Sequence, residues 1–162
     1  MNGKNPLFIF VFLLCAFALS AQSGDLPRIY GDSSRTIKVL LLYQPTEYKE
    51  KLVNYIEDNL KNNKSLYLVV DDLKAGKRYI PEDFSAVVIV NTGKAGNPDG
   101  KAKKLAAQTG GSVPLFILTT YASRGKGDIE GADTLTAASE EAEIPDTAQT
   151  LLNWLEDQIF RK

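Results

Sequence analysis

Phe84-Ser85-Ala86-Val87-Val88-Ile89-Val90-Asn91-Thr92-Gly93 is an apolar run that breaks off in a polar loop containing glycine. It shows no alternation of apolar and polar residues, so it reads as a strand buried on both faces. Strands of that kind belong to parallel sheets covered by helices on each side. Ile37–Tyr43, Leu66–Val70 and Val113–Thr120 have the same character, and together they describe an open α/β sheet with the Phe84 run near its middle. Ligands of such sheets bind beyond the carboxyl ends of the strands, where strand order reverses. The loop from Asn91 to Gly100 is therefore the first candidate for a site.

Between these runs the pattern is helical. Thr46 is a candidate N-cap, and Tyr48, Leu52, Tyr55, Ile56 and Leu60 recur at helical spacing up to about Asn62. Glu47, Glu50, Lys51, Glu57, Asp58 and Lys61 are expected on the solvent side of that helix. Asp71 to Asp83 is short for a crossover and holds Gly76 and Pro81, which predicts a loop with at most a turn of helix. Pro98 and Asp99 open a second helix that closes at Gly110-Gly111. Tyr121 to Gly131 is too rich in glycine for a stable helix, and Ala132 to Ala137 reads as a short fifth strand. Pro145 and Asp146 open a last helix whose stripe is Ala148, Leu151, Leu152, Leu155 and Ile159.

The outer parts of the chain set its organisation. Lys4, the apolar run Pro6 to Leu19 and the small residues Ala18 to Ser23 form the three-part pattern of a secretory signal, expected over residues 1–21. Residues 22–35, with Pro27, Gly31 and paired serines, read as a linker, and residues 36–162 as one domain. The expectation is export to the periplasm or the extracellular space, with no membrane attachment after signal cleavage. The only cysteine, Cys15, lies in the signal, so the mature chain has no thiol. The chain contains no histidine, which excludes Ser-His-Asp and Cys-His catalysis and imidazole metal ligands. No catalytic set and no metal site is expected. The 19 basic and 20 acidic residues leave no excess charge that would point to nucleic acid.

The order of elements from Thr36 onward resembles the flavodoxin-like proteins. Tyr79-Ile80-Pro81-Glu82-Asp83-Phe84 followed by the buried run looks like the family's lead-in to its third strand. Val113 to Thr120 looks like its fourth strand, and Gly131-Ala132-Asp133-Thr134-Leu135-Thr136-Ala137-Ala138-Ser139 like a segment of its compact members. The resemblance implies a three-layer sandwich around a five-stranded parallel sheet, order 2-1-3-4-5, with helices on both faces. It also implies FMN at the switch point, held by three loops. Onto those loops fall Thr46 after the first strand, Thr92 and Gly93 after the third, and Thr120 and Tyr121 after the fourth, Tyr121 offering a ring for stacking. The first loop, Tyr43-Gln44-Pro45-Thr46-Glu47-Tyr48, departs from the family pattern. It has no glycine, Pro45 lacks a donor, and Glu47 brings a negative charge to where a phosphate would lie.

Two functional readings follow. One is an exported FMN protein in redox or electron transfer with an unidentified partner; the other is a flavin-free module binding a different ligand or a protein. Pro114 to Ala122 and Asn97-Pro98-Asp99-Gly100 also resemble response-regulator receivers, although Gln44 and Asn91 stand where those domains carry acids. Asp133 to Ser139 is similar to sites where FMN is esterified to a hydroxyl, with Ser139 as the acceptor. Asp71-Asp72 is a carboxylate pair by type, but adjacent residues at a strand end point apart.

Overall fold

The computed structural model describes residues 25–121 and 128–160. The expected secretory signal and the loop residues 122–127 lie outside them. The six strands are β1 (Arg28–Tyr30), β2 (Ile37–Tyr43), β3 (Leu66–Asp72), β4 (Ala86–Thr92), β5 (Leu115–Tyr121) and β6 (Asp133–Ala138). They form one sheet in the order β1-β3-β2-β4-β5-β6. The five strands from β2 onward are parallel and reproduce the expected 2-1-3-4-5 order. The sheet has six strands rather than five because Arg28–Tyr30, within the stretch read as a linker, pairs antiparallel with β3.

Alternation along the strands divides the core into two layers. Val39, Leu41, Val88, Val90, Phe116 and Leu118 face α1 (Glu47–Leu60) and α3 (Ile144–Leu155). Leu40, Leu42, Val87, Ile89, Leu115 and Ile117 face α2 (Gly100–Thr109) and the 3₁₀ helix Leu73–Arg78. Each central strand thus feeds both cores, which is why its sequence carries no alternation. Asp99 caps α2 by accepting from the Lys101 N–H at 2.8 Å, and Gly110 ends it in the left-handed region at φ 53°. The crossover after β3 holds more helix than expected. Asp72 accepts from the Lys74 N–H at 2.7 Å and starts a six-residue 3₁₀ segment.

Two other expectations are corrected on α1. Glu50 and Glu57 do not face solvent, because Arg28 of β1 reaches across and binds them at 2.6 and 2.8 Å. Burial opposes the guanidinium's charge, but the hydrogen bonds to Glu50 and Glu57 outweigh it and hold Arg28 above its ordinary range. Tyr43, at the end of β2, donates its hydroxyl to the same Glu50 at 2.5 Å.

Candidate functional site

The carboxyl ends of β2 and β4 meet at the reversal of strand order. The Gln44 side-chain carbonyl accepts from the Thr92 N–H at 2.8 Å, and the Gln44 N–H donates to Val90 O at 3.0 Å. These two bonds tie the first and second loops together. Asn91, fully buried, donates to Leu118 O and Thr119 Oγ1, both at 3.1 Å, and accepts from the Asp99 N–H at 2.9 Å. It locks the start of α2 to the sheet, a structural task that explains an amide there.

Into this junction projects Lys49, a residue that the reading of the sequence passed over. It lies in the first turn of α1 and is 2% exposed. Its Nζ donates to Thr92 Oγ1 at 2.7 Å and to Thr46 Oγ1 at 3.2 Å. Among the described residues no carboxylate forms an ion pair with it. Burial pushes its ammonium down to about 8. The signal was in the sequence: Lys49 stands three, four and seven residues before Leu52, Val53 and Ile56, on the buried stripe rather than the solvent face.

The donor arithmetic gives this cluster its chemistry. An ammonium can only donate, so both threonine hydroxyls accept from Lys49 and keep their own protons for another acceptor. Thr46 also accepts from the Lys49 N–H at 3.4 Å as the cap of α1. Thr46 is exposed and Thr92 half-buried, so both hydroxyls are within reach of a solute. Two O–H donors backed by a buried cation at a helix N-terminus form a surface complementary to an anion. Glu47, next to Thr46, is 72% exposed at its side chain and pairs with Lys51 at 3.2 Å.

The ring end differs. Tyr121 is 5% exposed and lies against Gly93, where an added Cβ would fall 1.8 Å from a ring carbon. Gly93 also donates its N–H to Thr120 O at 2.8 Å. Thr120 is fully buried and its hydroxyl donates to Asn91 O at 3.3 Å. Thr46, Thr92, Gly93, Thr120 and Tyr121 therefore do share one end of the sheet. Of the five, Thr46 and Thr92 present polar atoms outward, while Thr120 and Tyr121 are spent on packing. The residues present fit the phosphate end of FMN and do not fit its ring in this conformation, because the Tyr121 face is covered. Residues 122–125 of the third loop lie outside the described residues, and so does most of the Arg124-to-Asp128 run.

The other candidates have structural tasks. Asp71 accepts from the Asp72 N–H at 2.8 Å and the Tyr79 hydroxyl at 2.7 Å, and Asp72 caps the 3₁₀ helix. Ser139 donates its N–H to Tyr121 O at 3.1 Å, extending the β5–β6 ladder. Among the described residues no group of His, Cys, Asp or Glu is placed to hold a metal. Nor is any helix of these residues long and apolar enough to cross a membrane.

A parallel sheet in the order 2-1-3-4-5 with helices on both faces decides the architecture. The fold is flavodoxin-like. No protein-family model matches the chain, and no curated protein matches its sequence. Among solved structures the chain is similar to a flavodoxin from the domain Archaea, at 10% identity and a TM-score of 0.48, over 75% of this chain and 98% of that one. It is similar to the rubredoxin oxygen:oxidoreductase of Desulfovibrio gigas, at 11% identity and 0.48, over 80% of this chain but 38% of the other. It is also similar to a lysine decarboxylase of Francisella novicida, at 18% and 0.45, over 80% of this chain and 18% of that chain. Likenesses this distant carry nothing about activity. The flavodoxin-like assignment stands on the strand order itself.

Proposed function

We propose that this flavodoxin-like domain is a flavin-free module that binds a small anionic ligand, phosphate- or carboxylate-bearing, at the switch point. The observation that carries the reading is Lys49, a buried ammonium whose neighbours among the described residues are two hydroxyls and not a carboxylate. A buried cation is costly unless its charge is answered, and a bound anion answers it. Thr46 and Thr92 donate to the ligand, Lys49 neutralises it, and the N-terminus of α1 adds its partial charge. No redox step belongs to this reading.

A second reading is favoured by the same donor set, since FMN ends in a phosphate. The flavin would supply the redox chemistry, while Lys49, Thr46 and Thr92 hold its phosphate and Tyr121 leaves Gly93 to make room for the ring. The two readings separate in one experiment on the full chain. Sulfate and FMN are titrated in parallel, the first followed by amide shifts at Thr46, Glu47 and Thr92, the second by flavin fluorescence. The expected result is saturable shifts with sulfate and no quenching of micromolar flavin. Yellow purified protein, or tight FMN binding, would establish the second reading instead.

A further inference from the structure

A groove of about 300 Å³ runs between the 3₁₀ helix Leu73–Arg78 and α2, on the opposite side of the sheet from α1 and α3. Lys74 and Lys77 stand on one bank and Lys101 and Lys104 on the other, with Leu73 and Leu105 between them. Both leucines are buried members of the core and show only their edges to the groove. Gly76 sets the width, because a Cβ there would press on Leu42 and Leu105 at 3.2 and 3.3 Å. Among the described residues, Lys74 meets Asp72 at 3.8 Å, and the other three lysines form no ion pair.

Charge is unevenly spread along the chain. From position 74 to 104 the chain carries seven basic residues against three acidic ones, and from 140 to 157 it carries six acidic residues and no basic one. Four of those seven basic residues, Lys74, Lys77, Lys101 and Lys104, line the groove. Four like charges along one cleft repel each other, and an anionic partner removes that repulsion.

We infer that this groove docks an acidic, leucine-bearing peptide segment of a partner protein. Carboxylates would meet the lysines on the two banks, and an apolar side chain would lie over Leu73 and Leu105. The apolar floor decides for a peptide, since an inorganic polyanion has nothing to place on it. The surface is distinct from the switch point and does not depend on what binds there.

The test is fluorescence anisotropy of a labelled peptide, Glu-Glu-Leu-Asp-Glu-Leu-Glu-Glu, with the full chain. Binding is expected in the micromolar range, falling about tenfold between about 50 and 300 mM salt as screening shortens. The double reversal Lys77→Glu/Lys104→Glu should abolish it. Lys61→Glu/Lys64→Glu, which changes net charge equally elsewhere on the surface, should weaken it far less. A serine-for-leucine peptide should bind several-fold more weakly. Thermal unfolding checks each variant, and Lys77→Gln/Lys104→Gln replaces the reversal if that variant does not fold. Three results overturn the inference: no anisotropy change up to about 100 μM protein, a range that spans even weak contacts; equal losses for the two reversals; or displacement by tripolyphosphate at concentrations below the peptide's own Kd.

Discussion

At the residue scale the informative position is Lys49. Its folded pKa, about 8, lies below the ordinary 10.5, so the fold disfavours its charged form. The sign follows from proton counting. Above about 10.5 both folded and unfolded amines are neutral and the group is silent. As pH falls toward 8 the unfolded chain binds the proton first, and stability drops until the folded amine also protonates. Lys49→Met should therefore stabilise the ligand-free protein at pH 7, by on the order of 1–3 kcal/mol at about 1.4 kcal/mol per unit of pKa difference. It should also remove that pH-dependent component and abolish the sulfate-induced shifts at Thr46 and Thr92. Urea midpoints measured at pH 7 and pH 10 check the stability; a Met variant less stable than the parent would mean that the ammonium is satisfied without a ligand. Sulfate affinity of the parent should hold below pH 8 and fall above it, since binding must then recapture a proton. Calorimetry in two buffers of different ionisation heat reads that uptake directly. The flavodoxin-like resemblance put Thr46 and Thr92 at one site, but it did not point to the residue joining them. A lysine three positions after a candidate cap reads as a solvated helix residue, and only its phase against Leu52, Val53 and Ile56 marks it as inward.

At the element scale, β1 and the Gly93–Tyr121 contact carry the predictions. The apolar strands were legible because each is a run without alternation, long enough to be unmistakable. Arg28–Tyr30 was not, since three residues cannot display a period and the flanking Pro27 and Gly31 look like a linker. Its evidence lay elsewhere in the chain, in two glutamates seven residues apart on α1 that need a cation. Arg28→Met should cost roughly 2–4 kcal/mol, somewhat under the full value for a broken buried pair because Arg28 and Glu50 retain 16% exposure. The loss would register in the denaturant midpoint, and a cost under about 0.5 kcal/mol would mean that water already satisfies Glu50 and Glu57. Gly93→Ala tests the other contact. With a ring carbon 1.8 Å from the new methyl, Tyr121 must move or the loop must shift, at a cost of about 1–3 kcal/mol. The tyrosine's fluorescence and near-ultraviolet dichroism should report it moving into solvent. If the second functional reading holds, the same variant would bind FMN differently from the parent, whereas the flavin-free reading leaves both unresponsive.

At the scale of the whole molecule, the apolar runs marked the strands, while their order, 2-1-3-4-5, was legible only through the flavodoxin-like resemblance. The sheet's sixth strand ties that architecture to the chain's start. The secretory pattern around Lys4, Pro6–Leu19 and Ala18–Ser23 predicts export with a mature N-terminus between Ala21 and Gly24. β1 begins at Arg28, so cleavage there leaves the strand whole, keeps Arg28 on Glu50 and Glu57, and leaves the open edge of β3 covered. Cleavage a few residues further on would remove Arg28 and carry the same penalty as Arg28→Met. On the export reading, the cut is therefore expected among the small residues ahead of Asp25, where it leaves the Arg28 contacts intact. N-terminal sequencing of the protein from its native envelope fraction should return a start in that window. A start beyond Tyr30 would break the link between processing and fold. An intact Met1 on cytoplasmic protein would break the export reading altogether, while leaving the sheet, the Lys49 cluster and the lysine groove as they stand.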